Sequence, residues 1–429
     1  MKSSRRRMLS AVAIMFLATA ACAQDADEAG PDEQIGGRLE VAAVWTGAEQ
    51  ESFQKVLDEF TDRTGTEVTF TSTGDRIATV LRTRIEGGEP PEIAILPQPG
   101  LMNDLVEQDA LEPIDDIVGE QIEESWAPDW RELGSADDTL YGLFFKGANK
   151  STVWYNVPAF AEAEVSPPET WEEFITAAET LRDAGTTPIA IGGGAGWVLT
   201  DWFENIYLRT AGPESYDQLT SHEIPWTDES VTEALGVFGE ILEDDALTLE
   251  EPSTVSFEES VDAVLSDDPD AAMVFEGDFV PGATDAAKAA AAGEDYDFFE
   301  FPSIEGSEAA VVGGGDMVVM LESTPQAEAL LEFLATPGAA EIWAAEGGFA
   351  SPNREVGADA YPNEIAGRTA TALAEAELFR FDLSDLVPTE LGGDVPGSMW
   401  SILQDFTNDP SDVDGTAQRL EEAAENAFG

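Results

Sequence analysis

Two kinds of hydrophobic spacing alternate along the chain from residue 38 onward. Residues 39–45 (LEVAAVW) form a continuous apolar run typical of a buried strand, and the apolar positions of residues 53–60 then recur at helical spacing. Further apolar runs at 68–70 and 93–96 enclose a second helical pattern. This βαβαβ order predicts an α/β fold with a mainly parallel sheet, flanked by helices on both faces.

The same alternation restarts after residues 141–146, which interrupt the pattern. Strand-like runs at 151–155, 188–191, 271–275 and 317–321 alternate with helical patterns, and the chain from about residue 365 is mainly helical. Two such units predict two lobes. Ligands of open α/β sheets bind beyond the carboxyl ends of the strands. The loops that we expect to form a site therefore follow Trp45, Phe70, Leu96, Ile191 and Phe275.

The N-terminus carries an export signal. A basic start precedes an apolar run, ending at residue 21, that is too short to span a bilayer comfortably. The only cysteine, Cys22, follows Thr19-Ala20-Ala21 and resembles the lipidated cysteine of a bacterial lipobox. We expect residues 1–21 to be a signal peptide, lipidated Cys22 to anchor the protein to the outer face of the cell membrane, and residues 22–37 to be a flexible tether. An ordinary cleaved signal remains the alternative, and both Sec and twin-arginine export stay open.

The charge and the residue counts exclude several classes of function. The chain has 87 acidic and 20 basic residues, a net charge of −67 that repels nucleic-acid phosphates, so we expect no nucleic-acid partner. A saline habitat would explain this acidity, but the sequence leaves that open. With one Cys and one His, the chain can form neither an internal disulfide nor a Cys/His zinc site. We expect no cofactor and no metal.

The predicted strand ends carry aromatic rings together with carboxylates, amides and glycines. This combination suits a sugar, because C–H faces pack on flat rings and hydroxyls need paired donors and acceptors. Trp171 and Trp343 lie at helical spacing and are expected in the core. The loops add four polar candidates for binding a ligand: Asn149, Lys150, Asp201 and Glu276. Composition alone leaves the function open.

Seven short segments match one known family: 60–65 (FTDRTG), 87–94 (GGEPPEIA), 96–100 (LPQPG), 153–156 (VWYN), 168–174 (PETWEEF), 200–204 (TDWFE) and 313–316 (GGGD). In these segments the chain resembles bacterial extracellular solute-binding proteins of carbohydrate ABC importers, the group that includes maltose-binding protein, and most closely its α-glucoside-binding branch. The likeness extends from about residue 38 to the C-terminus. Glu92 departs from the family, which usually has Asp there.

The resemblance implies a two-lobed periplasmic-binding-protein fold with a ligand cleft between the lobes. By analogy, lobe 1 is 38–145 plus 308–348, and lobe 2 is 146–307 plus 349–429. The lobes close on the ligand like a hinge. The implied function is that of a monomer that captures a sugar, breaks no bond, and delivers it to ABC permease subunits powered by their ATPase.

Eight further site residues follow from position in the family. Trp400, Trp197 and Phe279 fall where relatives stack aromatic rings on sugar, and five other residues are expected to make polar contacts: Trp45, Glu49, Gln98, Asp316 and Arg354.

Three alternatives remain open at this point. A secreted glycoside hydrolase would need two carboxylates about 5–10 Å apart, and acidic residues are abundant. A solute-binding protein for another cargo, such as a polyol phosphate, a polyamine or a peptide, would differ in the charge of its pocket. A structural surface protein without a cleft would respond to no sugar.

Overall fold

The computed structural model describes residues 34–374 and 376–429. The predicted signal peptide, Cys22 and the tether up to residue 33 lie outside the described residues. Within the described part of the chain, no helix is both long and apolar enough to cross a membrane.

The strands of the described residues form two separate sheets and one small hairpin. In chain order they are β1 (Arg38–Ala43), β2 (Glu67–Ser72), β3 (Ile93–Leu96), β4 (Ser135–Ala136), β5 (Thr139–Leu140), β6 (Gly142–Asn149), β7 (Thr152–Asn156), β8 (Thr187–Ala190), β9 (Ala271–Phe275), β10 (Tyr296–Glu300), β11 (Val311–Met320) and β12 (Phe379–Phe381). The first sheet has the order β12-β11-β3-β1-β2, with β6 also paired to β11. The second has the order β10-β7-β9-β8, and β4 and β5 form the hairpin.

Helices cover both sheets. They are α1 (Gly47–Thr64), α2 (Ile77–Gly87), α3 (Pro99–Glu107), α4 (Asp115–Ser125), α5 (Pro128–Leu133), α6 (Val157–Glu162), α7 (Trp171–Ala184), α8 (Trp197–Thr220), α9 (Glu229–Leu242), α10 (Phe257–Leu265), α11 (Val280–Ala283), α12 (Asp285–Ala289), α13 (Pro325–Leu334), α14 (Pro337–Ala344), α15 (Glu364–Ala374), α16 (Leu383–Leu386), α17 (Thr389–Gly392), α18 (Met399–Asn408) and α19 (Val413–Phe428). Helix α8 is interrupted at Gly212, directly before Pro213.

Both sheets are mixed, and the expectation of mainly parallel strands holds only for the first. There β1 pairs in parallel with β2 and β3, and β11 with β12, whereas β11 is antiparallel to β3 and β6. In the second sheet only β8 and β9 are parallel. The reason is that the chain enters the second lobe through β7 and leaves it through β10. An entering and a leaving strand that lie side by side must run in opposite directions.

The described residues form three hydrophobic cores in this arrangement. In β3, Ile93 and Ile95 point to one face of the first sheet and Ala94 and Leu96 to the other, as strand alternation requires, and each face has its own core. The third core fills the second lobe around Trp202 and extends to α18 and α19. Strand β12 joins the first sheet although it belongs to the segment 349–429. The exact lobe limits remain a prediction.

Local signals explain several helix ends. Thr170, the predicted N-cap of α7, accepts a hydrogen bond from the backbone N–H of Glu173. Gly65 ends α1 at φ 71°, a left-handed conformation that glycine adopts without strain. Trp171 and Trp343 are buried in the cores, as expected from their helical spacing.

Candidate ligand-binding cleft

A cleft with a volume of about 440 Å³ lies between the two lobes. Its residues from the first lobe include Trp45, just after β1, and Gln98, just after β3; those from the second lobe include Phe279, after β9. The cleft thus lies beyond the carboxyl ends of these strands, where sequence reasoning placed it. At its rim the lobes touch, because Lys288 Nζ donates hydrogen bonds to the Ala48 carbonyl (3.0 Å) and to Ser52 Oγ (3.1 Å).

Aromatic rings form the wall of the second lobe. Trp197 lies 5.0 Å from Phe257 and 6.1 Å from Phe279, measured between ring centroids, and Trp400 lines the same side. Gly196 lets Trp400 approach, since a Cβ at this position would lie 2.8 Å from Trp400 Cβ. The φ of Gly196, 69°, also favours glycine. These rings offer the flat apolar surface that a sugar face needs.

Polar groups form the wall of the first lobe. Trp45 is only 3% exposed, packs edge-on against Trp343 with centroids 4.6 Å apart, and donates from Nε1 to Asp316 Oδ2 at 2.8 Å. The indole of Trp45 therefore holds Asp316 in place and offers little stacking surface. Asp316 remains available to accept hydrogen bonds from hydroxyl groups.

Lys146, on β6, stands between the two walls. Its Nζ lies 2.5 Å from Glu49 Oε1 and 3.9 Å from Asp316 Oδ2, and 5.1 Å from the ring centroid of Phe279. Burial lowers the pKa of Lys146, but the carboxylates of Glu49 and Asp316 outweigh it and the pKa is raised. Lys146 thus stays a cation and acts as a hydrogen-bond donor fixed by two acids.

A second lysine, Lys150, lies deeper, where β6 passes into β7. Its Nζ is 3.3 Å from Asp201 Oδ1, donates to Asp382 Oδ2, and lies 3.7 Å from Asp385 Oδ2. Burial opposes the charge of Lys150, but Asp201, Asp382 and Asp385 together raise its pKa well above the usual value. Burial also raises the pKa of Glu276, to about 8.

Carboxylates near Lys150 also form the one described group with spacing suited to a metal ion. Asp201, Glu204 and Asp382 each place an oxygen within 4.8 Å of the others. The oxygens of Glu204, however, accept the backbone N–H groups of Leu383 (2.7 Å) and Ser384 (2.9 Å). With Lys150 already paired to two members, this group has a structural role in joining α8 to the segment after β12.

Eight of the twelve predicted binding residues line the cleft: Trp45, Glu49, Gln98, Lys150, Trp197, Phe279, Asp316 and Trp400. Four do not. Asn149, Asp201 and Glu276 are fully buried in the polar interior beneath the cleft. Arg354 is outside it, because its guanidinium donates to the carbonyls of Glu124 and Ser125 at the end of α4.

The sequence reasoning missed several lining residues, among them Asp75, Lys146, Phe257, Glu258 and Asp385. Lys146 had a usable signal, since it is the one charged residue in the apolar run of β6. Asp75 is hidden among many acidic residues. Burial, with the carboxylates of Asp394 and Glu258 adding to it, raises the pKa of Asp75 to about 6.

Residues 45–341, more than half of the chain, match the family model of the bacterial extracellular solute-binding proteins. The chain belongs to this family. Members of an extracellular solute-binding family work outside the cytoplasmic membrane. Their function is to bind a solute, and they catalyse no reaction.

Two curated relatives cover nearly the whole solute-binding protein. The osmoprotective compounds-binding protein GgtB of Synechocystis sp. is 34% identical over 382 residues, which are 86% of this chain and 88% of that protein. The alpha-glucosides-binding periplasmic protein AglE of Rhizobium meliloti is 33% identical over 399 residues, 89% of this chain and 86% of that protein.

Solved structures show the same two-lobed fold. The bacterial solute receptor AcbH superposes with a TM-score of 0.82 at 20% identity, over 92% of this chain and 100% of that chain. The binding protein RafE in complex with raffinose superposes with a TM-score of 0.76 at 15% identity, over 91% of this chain and 100% of that chain. At these identities the likeness establishes the fold of the solute-binding protein.

Proposed function

We propose that this protein captures a neutral glycoside of one or two sugar rings, such as an α-glucoside, and delivers it to ABC permease subunits served by their ATPase. The observation that carries the proposal is the pairing of the two cleft walls. Rings of the second lobe (Trp197, Phe279 and Trp400) face two hydrogen-bonding groups, Asp316 of the first lobe and Lys146 of β6, which stands between the walls. A sugar has both kinds of surface, apolar C–H faces and hydroxyl edges.

The charges of the cleft favour an uncharged ligand. Both lining lysines are engaged by carboxylates, Lys146 by Glu49 and Lys150 by Asp382. Asp75 and Glu258 add acidic groups. A phosphate group would lie among negative charges and would find no free cation among the described lining residues. A polyol phosphate is therefore disfavoured as the ligand. A polyamine would have to compete with the resident lysines for their partners.

The size of the cleft favours a small ligand. Its volume of about 440 Å³ is near the lower end of the range for small-molecule sites, roughly 300–1,000 Å³. The names of the two curated relatives, one binding alpha-glucosides and the other osmoprotective compounds, agree with a small solute of this type. A micromolar dissociation constant would need about −8 kcal/mol, which ring stacking and several hydrogen bonds supply after ordering costs.

The proposal also includes how the protein is held at the membrane. We infer that Cys22 is lipidated and that residues 22–37 tether a monomeric binding domain at the cell surface. The lipobox-like sequence before Cys22 supports this. Metabolic labelling with a fatty-acid analogue, compared with the Cys22→Ser variant, tests the anchor.

Calorimetry on the purified mature domain tests the function, with trehalose, maltose and sucrose as probes. We expect one of them to bind, and Trp400→Ala to weaken that binding by about 2 kcal/mol or more, since central aromatic anchors dominate small interfaces. Phe428→Ala is the matched control, because Phe428 is an exposed ring at the end of α19.

Two outcomes would contradict the proposal. Unchanged affinity in Trp400→Ala would show that the sugar does not bind in this cleft. Release of monosaccharide from the same probes would point to the hydrolase alternative.

A further inference from the structure

Carboxyl groups outnumber cations around Lys150. Asp201, Asp382 and Asp385 each place an oxygen within 4 Å of its Nζ, and an oxygen of Glu204 lies within 4.8 Å of Asp201 and Asp382. Only Asp385 in this group lines the cleft, and its side chain is 11% exposed there. The other three carboxyl groups are fully buried.

One ammonium can compensate one buried carboxylate, and further buried carboxylates reach neutrality by keeping a proton. Asp382 is the member whose ionised form is best supported. Its oxygens accept from Lys150 Nζ, from Ser384 Oγ at 2.7 Å and from the backbone N–H of Asp385 at 3.1 Å. Burial alone would raise the pKa of Asp382. The charge of Lys150 is the main cause that opposes burial, and the pKa of Asp382 is lowered as a result.

Asp385 has much weaker support for a negative charge. Its nearest cation, Lys150, is 3.7 Å away and is already bonded to Asp382. Acidic groups dominate its surroundings. The packed helices α8, α3 and α17 carry Asp201, Glu204, Asp104 and Glu390, and Arg380 of β12 is paired with Asp217. Burial is the largest cause that raises the pKa of Asp385, and the charges of Asp382 and Asp316 add to it. Lys150 and Gln98 offset these causes only in part, so the pKa lies well above its usual value.

We propose that Asp385 is a specificity-determining residue that meets the ligand as a neutral carboxylic acid and donates a hydrogen bond to a ligand oxygen. This inference rests on the proposed function and deepens it. A carboxylic acid can both donate and accept, so this end of the cleft selects a hydroxyl or ring oxygen over an ammonium group. Binding must then weaken as the pH rises far enough to remove the proton.

Two variants separate a neutral acid from a carboxylate. Asp385→Asn keeps the shape and one donor, whereas Asp385→Ala removes both. By calorimetry with whichever of trehalose, maltose and sucrose binds the wild type, we expect Asp385→Ala to raise Kd at least tenfold at neutral pH. We expect Asp385→Asn to raise it by only a few-fold and to abolish the alkaline loss of affinity. Asp268→Asn, at an exposed position, is the matched control.

Carbon-13 NMR of the aspartate-labelled, ligand-free protein provides a second measurement. The carboxyl signal that disappears in Asp385→Asn is expected to have the shift of a protonated acid at neutral pH. A carboxylate shift for that signal, or wild-type affinity in Asp385→Ala, would overturn the inference. If the wild type bound none of the three sugars, the proposed function would fail instead, and the NMR result would still decide the protonation state.

Discussion

Asp278 should make the protein less stable at neutral pH than at acidic pH, and Asp278→Asn should remove that effect. Asp278 follows β9, beside the cleft residue Phe279, and is 5% exposed. Burial raises the pKa of its carboxyl group from an ordinary 3.8 to about 7, while the backbone of Asn149 and the charge of Lys146 partly offset it. The native protein therefore holds this proton more tightly than the unfolded chain does.

The sign and size of the effect follow from linkage. Since the native pKa is the higher one, the contribution of Asp278 to stability is fully present below pH 3.8 and is lost as the pH rises to about 7. The loss is about 1.4 kcal/mol for each pH unit between these values. From about pH 5 to pH 7 it amounts to roughly 2 kcal/mol, since the slope falls as the native carboxyl group begins to ionise. An asparagine cannot ionise, so this part of the slope should vanish.

Urea unfolding followed by tryptophan fluorescence, at about pH 5, 6, 7 and 8, measures the slope. Repulsion among the other acidic residues changes with pH in both proteins, so the quantity of interest is the difference between wild type and Asp278→Asn. We expect the variant to gain relative stability from pH 5 to 7 and the gain to level off by about pH 8. Asp268→Asn, at an exposed position, should show no such gain. A constant difference between wild type and Asp278→Asn across the range would refute the reasoning.

Two further predictions concern lysines at the lobe junction. Lys146→Met leaves Glu49 and Asp316 without their shared cation. It should therefore lower the free energy of unfolding in urea by about 3 kcal/mol and abolish sugar binding in calorimetry. A variant that binds sugar normally would contradict the role assigned to Lys146. Lys288→Ala removes the hydrogen bonds to Ala48 and Ser52 that join the lobes at the rim of the cleft. X-ray scattering of the ligand-free variant should therefore show a larger radius of gyration than wild type. Equal radii would exclude Lys288 as a lobe contact.

The strands that sequence reasoning found have continuous apolar runs. Strand β3 and strand β9 lie at the predicted residues because every position in them is buried. Strand β6 was interpreted as an interruption, since Gly142, Lys146 and Gly147 break its apolar pattern. It is a strand because β11 pairs with it along seven residue pairs, and pairing between segments so distant in sequence leaves no local signal.

The same limit applies to the cleft. Trp197, Phe279 and Trp400 could be predicted because the resemblance to the family assigns sugar-stacking aromatic rings to these positions. Acidic residues carry no such signal among 87 of them, and only tertiary packing places Asp385 at the cleft. Arg354 was expected at the cleft, but it caps α4 instead, because the free carbonyls at a helix end attract a guanidinium.

Three of the four lysines in the described part of this acidic chain lie where the lobes meet. Of the described lysines, Lys146 and Lys150 line the cleft and Lys288 bridges its rim, while Lys55 pairs with Glu346 on the first lobe. Two lobes that both carry a large negative charge repel each other as they close. Lysines at the junction offset that repulsion at short range, where dissolved salt screens charges least. The outer surfaces of the two lobes are farther apart than a Debye length, about 8 Å at physiological ionic strength, so salt screens the repulsion between them. Closure around a neutral ligand is thus compatible with an acidic surface, because Lys146 and Lys150 compensate carboxylates where the lobes face each other.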